Sequence, residues 1–173
     1  MMAMIEPVKT FLQRQFRAES GLDELLAMDA AELSSHYEHP VQLIDRIAHQ
    51  LHQDSVSLQR RFGEQIFEYL LYEKPDLFDN SSNCFEMFLH PDTPLQLEIA
   101  ELYHDHEPPR FTILQMQDNL LVMDYQSSMP FAHVCHGFLQ ACAAHFGQTL
   151  GIRQQLINGA LNHARFHLTC TIN

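Results

Sequence analysis

The amino-acid sequence predicts an α+β fold, in which a helical N-terminal part packs on a C-terminal four-stranded antiparallel sheet that carries one helix. Up to about residue 107, apolar residues recur every three or four positions, as they do in amphipathic helices. From about residue 108, two pairs of apolar or alternating segments are each joined by a short turn, which is typical of β-hairpins. One more helical pattern lies between the two hairpins.

The helical part is expected to begin at residues 5–17, where apolar residues recur at helical spacing. Short helical pieces are expected at residues 21–29 and 30–37. Pro40 then opens another helix, because proline is favourable in the first turn. Further helical segments are expected around residues 83–90 and after Pro94.

The longest helix is expected to run from Asp54 or Ser55, either of which is a suitable N-cap, to about Lys74. Pro75 would prevent its continuation. The predicted apolar stripe of this helix is Leu58, Phe62, Ile66, Tyr69 and Leu70.

The sheet part is expected to begin with strands at residues 110–117 and 119–126, which flank an Asp-Asn turn. The helix that follows places its apolar residues on one side: Phe131, Val134, Phe138, Leu139 and Cys142. Residues 151–173 are expected to form two further strands joined by a turn through residues 158–163, with alternating apolar residues along the last strand.

Length and composition favour one domain, residues 1–173, with a helical part of about 1–107 and a sheet-containing part of about 108–173. The net charge is −12, which argues against binding to nucleic acid. The sequence shows neither a signal peptide nor an apolar stretch long enough to span a membrane. The four cysteines include no closely spaced pair, so reduced thiols in a cytoplasmic protein are expected.

Catalytic and metal-binding motifs are not evident. The sequence lacks the Gly-x-Ser-x-Gly, P-loop and His-Glu-x-x-His patterns, and Ser127 and Ser128 fit a turn-capping role, so an enzyme is not expected. The cluster His133, Cys135, His136 and Cys142 would not converge on one ion if it is helical, since successive residues differ by about 100°. Buried thiols and exposed imidazoles are expected there, and an exposed connector is expected at His104 and His106.

Several blocks in this order resemble the heme-nitric oxide/oxygen binding (H-NOX) family over essentially the whole chain. "VSLQRRFGEQIFEYLLYEKPDLF" resembles the family's helix with its Phe-Gly pair and closing "P.LF". "CFEMFLHPDTPLQLEIAELYHDHEPPRF" is similar to the segment that runs through the proximal heme-ligand helix to a "P.F" at the first strand. "MDYQSSM" falls at the Tyr-x-Ser-x-Arg motif that holds the heme propionates, and "ARFHLTCTI" resembles the last strand.

The resemblance implies heme b as cofactor and assigns Pro109, Tyr125 and Ser127 to its pocket. It also implies two substitutions: Gln96 stands at the position of the proximal His, and Met129 at the position of the motif's Arg. An amide oxygen is a weak axial ligand compared with an imidazole nitrogen. A thioether cannot form the paired, charged hydrogen bonds that a guanidinium forms with carboxylates.

Heme held in the standard way is therefore not expected. His90 could ligate iron only if the start of the following helix were rebuilt. Three outcomes remain for the space between the two parts: apolar side chains fill it, another apolar ligand occupies it, or heme binds with unusual ligation. The candidate filling or lining residues are Phe11, Leu95, Ile99, Phe138 and Met129.

The function expected from the resemblance is that of a sensory or regulatory module. Its partner would be a signalling protein such as a histidine kinase or a cyclic-nucleotide enzyme, and a small apolar ligand is an additional candidate. The alternative is a genuine heme-binding gas sensor with unusual axial ligation.

Overall fold

The computed structural model describes residues 2–16, 27–89, 93–103 and 107–172. Its α-helices are α1 (Met2–Phe16), α2 (Ala30–His36), α3 (Pro40–Gln50), α4 (Ser55–Glu73), α5 (Pro94–Leu102) and α6 (Ala132–His145). Two short 3-10 helices lie at Pro75–Leu77 and Phe85–Phe88. The strands are β1 (Arg110–Gln117), β2 (Leu120–Gln126), β3 (Gln148–Ile157) and β4 (Ala160–Ile172). Within these described residues, no helix is both long and apolar enough to cross a membrane.

Local signals set the start of three helices. The Asp29 side chain accepts a hydrogen bond from the Glu32 amide in a capping box, and Asp54 accepts one from the Ser57 amide. Thr93 caps α5 in the same way, and Pro94 follows it in the first turn. The predicted starts of α4 and α5 are thus correct.

The four strands form one antiparallel sheet in the order β1-β2-β4-β3, which confirms the predicted fold class. The second hairpin turns more tightly than predicted. Asn158 and Gly159 both have positive φ, 55° and 72°, as expected for a two-residue hairpin turn. Residues 160–163, assigned to the turn on sequence grounds, therefore belong to β4.

Helices α4 and α6 cross at very close range because a glycine lies on each side of the contact. A Cβ atom on Gly63 would lie 1.9 Å from the Val134 carbonyl oxygen, and one on Gly137 would lie 1.8 Å from the Arg60 carbonyl oxygen. Phe67 of α4 packs edge-on against Phe138 of α6, with ring centroids 5.4 Å apart. This crossing fixes α6 between the helical part and the sheet.

Three predictions about individual elements need correction or lie outside the described residues. In the predicted stripe of α4, Leu58, Phe62 and Leu70 are buried as expected, but Tyr69 is 55% exposed and Phe67 is buried in its place. The helix expected around residues 83–90 is the short 3-10 helix Phe85–Phe88. The helical piece expected at residues 21–29 falls mostly outside the described residues.

Candidate functional site

A small apolar cavity of about 60 Å³ lies between the helical part and the sheet. Helices α4, α5 and α6, the second 3-10 helix and the start of the sheet contribute its walls. The described residues that line it are Ile66, Phe88, Ile99, Tyr103, Pro109, Phe111, Tyr125, Phe131, Val134, Cys135 and Phe138.

Aromatic rings fill most of the space around this cavity. The Phe88 ring lies 5.2 Å from that of Phe111 and 6.5 Å from that of Phe138, measured between centroids. The Phe111 ring in turn lies 5.7 Å from that of Tyr125. These tilted and edge-on contacts have the geometry that aromatic pairs prefer, so they stabilise the closed interface beyond simple area burial.

Three hydroxyl groups form a hydrogen-bonded cluster at one side of the cavity. The Tyr103, Tyr125 and Ser127 side chains hydrogen-bond to one another. The Tyr125 hydroxyl also donates to the Met129 carbonyl oxygen at 3.4 Å. Burial raises the pKa of Tyr103 to about 12 and that of Tyr125 well above its usual value, so both are neutral phenols at physiological pH.

The segment after β2 is held tightly by its own serines. The Ser127 hydroxyl accepts a hydrogen bond from the Met129 amide at 3.0 Å, and the Ser127 amide donates to the Asn162 carbonyl oxygen at 2.9 Å. The Ser128 hydroxyl donates to the Glu107 carbonyl oxygen at 3.1 Å. These contacts agree with the predicted turn-capping role, and the Met129 side chain is buried beside them.

Gln96 lies in the first turn of α5, where its side chain contacts the preceding 3-10 helix. Its amide nitrogen donates to the Phe88 carbonyl oxygen at 3.4 Å, while its backbone amide donates to the Thr93 cap. Thr93 also donates to the Met87 carbonyl oxygen at 3.0 Å. The Gln96 side chain thus helps to join α5 to the 3-10 helix.

The structure brings the predicted site residues only partly together. Tyr125 and Pro109 line the cavity, and Ser127 and Met129 lie next to Tyr125, whereas Gln96 is not among the described residues in the wall. Of the five predicted filling residues, Ile99 and Phe138 line the cavity, while the other three are buried outside its wall: Phe11, Leu95 and Met129.

Sequence reasoning missed several wall residues, most notably Tyr103. Tyr103 follows Ile99 by four positions, so helical spacing from Ile99 would have placed it on the same face. Phe88 and Phe111 lie within the segment that resembles the family's heme-ligand region, Phe111 at its closing "P.F", but no local pattern shows that their rings meet.

The cluster of imidazoles and thiols on α6 does not form a metal site: the described residues contain no group of three or more His, Cys, Asp or Glu that could hold an ion. Gln154 of β3 bridges the two imidazoles, at 3.2 Å from His133 Nδ1 and 3.0 Å from His136 Nδ1. The expectation of exposed imidazoles is wrong for His136, which is 6% exposed. His104, His106 and His90 lie outside the described residues.

A family model described as Haem-NO-binding matches residues 18–154. The chain belongs to the haem-NO-binding family. The resemblance noted in the sequence is thereby confirmed at the level of the family. No curated protein sequence matches the chain significantly.

Solved structures of H-NOX proteins share the fold of this haem-NO-binding chain. An unliganded Fe(II) H-NOX protein from K. algicida has a TM-score of 0.79 and 19% identity, covering 100% of this chain and 98% of that chain. An Fe(II)NO H-NOX protein from S. oneidensis has a TM-score of 0.74 and 20% identity, covering 95% and 98%. An IWP-051-bound H-NOX from Shewanella woodyi has a TM-score of 0.69 and 26% identity, covering 98% and 94%.

The apolar cavity described in this member of the haem-NO-binding family is much smaller than a porphyrin. An apolar cavity of about 150 Å³ holds one benzene. The cavity of about 60 Å³ is less than half that size. A porphyrin contains four pyrrole rings, so the packing of Phe88, Phe111 and Phe138 would have to open before it could enter.

The described residues of the cavity wall do not include an imidazole. Proteins ligate heme iron through imidazole, thiolate, thioether or phenolate groups. Among the described wall residues, the donors are the Cys135 thiol and the hydroxyls of Tyr103 and Tyr125. Burial raises the pKa of the Cys135 thiol as it does those of the two phenols. Without a metal all three are protonated at neutral pH, so ligation to iron would have to release a proton.

Proposed function

We propose that this haem-NO-binding family member is a non-enzymatic sensory or regulatory module that does not hold heme in the standard way. The observation that carries the proposal is the role of Gln96. By the resemblance, this residue occupies the position of the iron-ligating His, and its amide instead donates to the Phe88 carbonyl oxygen. A side chain used to join α5 to the neighbouring 3-10 helix is a structural element rather than an iron ligand.

The packing energy of the interface supports the same proposal. An empty space costs about 24 cal/mol per Å³, so a void of heme size would cost many kcal/mol. Here the aromatic rings reduce the void to about 60 Å³, for which the cost is only about 1.4 kcal/mol. A cost this small supports an interface that does not need a porphyrin to fill it.

The signalling role rests on the family. We propose that the module acts on a signalling protein, such as a histidine kinase or a cyclic-nucleotide enzyme, through a change in how α5 packs against the sheet. The Lys74–Glu98 ion pair, which joins α5 to the end of α4, would carry such a change to α4. A cytoplasmic location stays a prediction.

The second candidate is a genuine heme-binding gas sensor, and the retained hydroxyl pair of the propionate motif favours it. Tyr125 and Ser127 still lie side by side next to the cavity, where they could donate hydrogen bonds to a carboxylate. In this candidate, the rings around Phe111 would move apart to admit the porphyrin. The iron would have an unusual axial ligand in place of the family's proximal His.

Absorption spectroscopy separates the two candidates. The protein is purified from cells supplied with a heme precursor and is then titrated with hemin. The proposal predicts that the purified protein is colourless. It also predicts that, during the titration, the Soret band is no stronger than that of the same amount of free hemin. Purification with stoichiometric heme, and a Soret band that survives gel filtration, would contradict the proposal and establish the gas sensor.

A gain-of-function variant tests why heme is not held. Gln96→His combined with Met129→Arg restores the imidazole and the guanidinium, and is expected to raise hemin affinity at least about tenfold, which is about 1.4 kcal/mol. Gln115→His is the matched control, because Gln115 is exposed on β1, away from the cavity. If the control binds hemin as well as the double variant does, the gain comes from a surface imidazole.

A further inference from the structure

The remaining cavity has the chemistry of a dry apolar site. Its wall consists of aliphatic and aromatic side chains, together with the Cys135 thiol and two phenols. The Tyr103 and Tyr125 hydroxyls already hydrogen-bond to each other and to Ser127. A buried water needs two to four polar partners, so this wall gives water little reason to stay. The space left by the aromatic rings is thus suited to an uncharged apolar occupant.

We infer that this cavity binds one small, uncharged, apolar molecule, such as a gas or a short hydrocarbon, that is smaller than benzene. The inference rests on the proposed function, because a porphyrin would require the same space. The size limit follows from the cavity volume of about 60 Å³, compared with the about 150 Å³ that accommodates benzene. A charged or strongly polar ligand is excluded because it would lose its hydration without gaining partners.

The occupant would contact both parts of the chain at once. Ile66 of α4 and Ile99 of α5 approach the cavity from the helical part, whereas Phe111 and Tyr125 approach it from the sheet. A ligand that touches both sides stabilises the arrangement in which they lie close together, and its effect equals its difference in affinity for the closed and open arrangements. The site therefore couples a small apolar molecule to the packing of α5.

Xenon is the probe of choice because it is uncharged, and it binds dry apolar cavities. The protein is labelled at Ile, Leu and Val methyl groups, and its NMR spectrum is recorded under increasing xenon pressure. Saturating shifts are expected at the methyl groups of Ile66, Ile99 and Val134, which line the cavity. The buried methyl groups of Leu33 and Val41, in the core of the helical part, should not move.

A filling variant and its matched control lie on the same helix. Ile99→Phe adds bulk in the cavity wall and is expected to weaken xenon binding at least about tenfold. Leu97→Phe makes a similar change on the exposed side of α5, where Leu97 is 54% exposed, and should leave xenon binding unchanged. Ile66→Phe fills the cavity from α4 and replaces Ile99→Phe if that variant does not fold.

The outcomes of the xenon titration are distinct from those of the heme experiment. A colourless wild-type protein whose cavity methyl groups do not respond to xenon overturns this inference and leaves the proposed function intact. A heme-loaded protein overturns both. Shifts that persist unchanged in both filling variants place the xenon elsewhere and also overturn the inference. Benzene should produce no saturating shift, and equal binding of benzene would refute the size limit.

Discussion

The close crossing of α4 and α6 predicts that alanine at Gly63 or Gly137 destabilises the protein. Unlike a side chain, a carbonyl oxygen in a helix cannot rotate out of the way. A Cβ at position 63 would lie 1.9 Å from the Val134 carbonyl oxygen, although real Cβ contacts are essentially never under 3.0 Å. The two helices must therefore separate by roughly 1 Å. For each pair of atoms in optimal contact between the helices, such a gap removes about a quarter to a half of the dispersion energy.

Two opposing contributions set the size of the effect. Replacing a mid-helix glycine with alanine favours the helix by about 1 kcal/mol. Overpacking costs about 1–3 kcal/mol and more where the backbone itself must move, as it must here on both sides. We therefore expect a net loss of about 2 kcal/mol for Gly63→Ala and for Gly137→Ala. With a slope of about 2 kcal/mol per molar urea, the unfolding midpoint should fall by about 1 M.

Urea unfolding followed by circular dichroism measures this loss. Gly151→Ala is the matched control, because the nearest atom to a Cβ there, the Thr169 carbonyl oxygen, lies at an ordinary 3.6 Å. Its stability should stay within about 0.5 kcal/mol of wild type. The Gly63→Ala/Gly137→Ala double variant should lose less than the sum of the single losses, because both alanines separate the same pair of helices. If Gly63→Ala unfolds at the wild-type midpoint, the helices do not cross this closely in solution.

Two further predictions concern the pH dependence of stability, measured by the same urea unfolding. Burial lowers the pKa of His136 from 6.5 to about 4. Between these two pH values the imidazole is protonated in the unfolded chain but neutral in the folded protein, so the free energy of unfolding decreases as the pH falls from about 6.5 to 4. His136→Phe should remove up to about 3 kcal/mol of this loss; an unchanged pH profile would show that the imidazole is not buried. The two hydrogen bonds from Arg165 lower the pKa of Asp124 in the folded protein. Their contribution to the free energy of unfolding is therefore fully present above pH 3.8, the pKa in the unfolded chain, and is lost as the pH falls through the lower pKa of the folded protein. Asp124→Asn should cost about 0.5–1 kcal/mol at pH 7, and this deficit should shrink below pH 3.8, whereas a deficit that is the same at all pH values would exclude the ion pair as its cause.

Much of the fold could be predicted because its signals are local. Asp54 and Thr93 accept hydrogen bonds from backbone amides in the first turns of α4 and α5, and Pro40 and Pro94 mark the first turns of α3 and α5. Two tight hairpins pair β1 with β2 and β3 with β4, and Asn158-Gly159 carries the stronger turn signal. Such signals do not depend on distant parts of the chain.

The buried face of α4 was predicted correctly at Leu58, Phe62 and Leu70 but not at Tyr69, near the end of the helix. Apolar residues occur almost all round the end of this helix, so periodicity alone does not choose between Phe67 and Tyr69. The choice depends on Gly63, which lets α6 approach and directs Phe67 towards Phe138. Likewise, His136 is buried because β3 brings Gln154 to its ring, which is a contact between residues 18 positions apart.

At the candidate site, the sequence indicated the polar residues better than the apolar wall. Tyr125 and Ser127 belong to a short motif whose spacing is visible in the sequence, and the structure brings their hydroxyls together. The ring contacts among Phe88, Phe111 and Phe138 arise from three separate elements. No local pattern specifies such contacts, so the closure of the interface becomes visible only in three dimensions.

Under the proposed function, the two substitutions at the site support each other physically. Met129 is buried, and an arginine in that place without propionates to pair with would leave an uncompensated charge, at a cost of about 3–5 kcal/mol. Once the propionates are absent, a thioether is the more stable choice, and its presence then leaves no cation to bind them again. Gln96 acts in the same direction, since its amide stabilises the contact between α5 and the Phe88 segment that closes the space. Under the proposed function, the absence of standard heme binding and the closure of the interface would therefore reinforce each other, and standard heme binding would need changes at both positions together with movement of the aromatic rings.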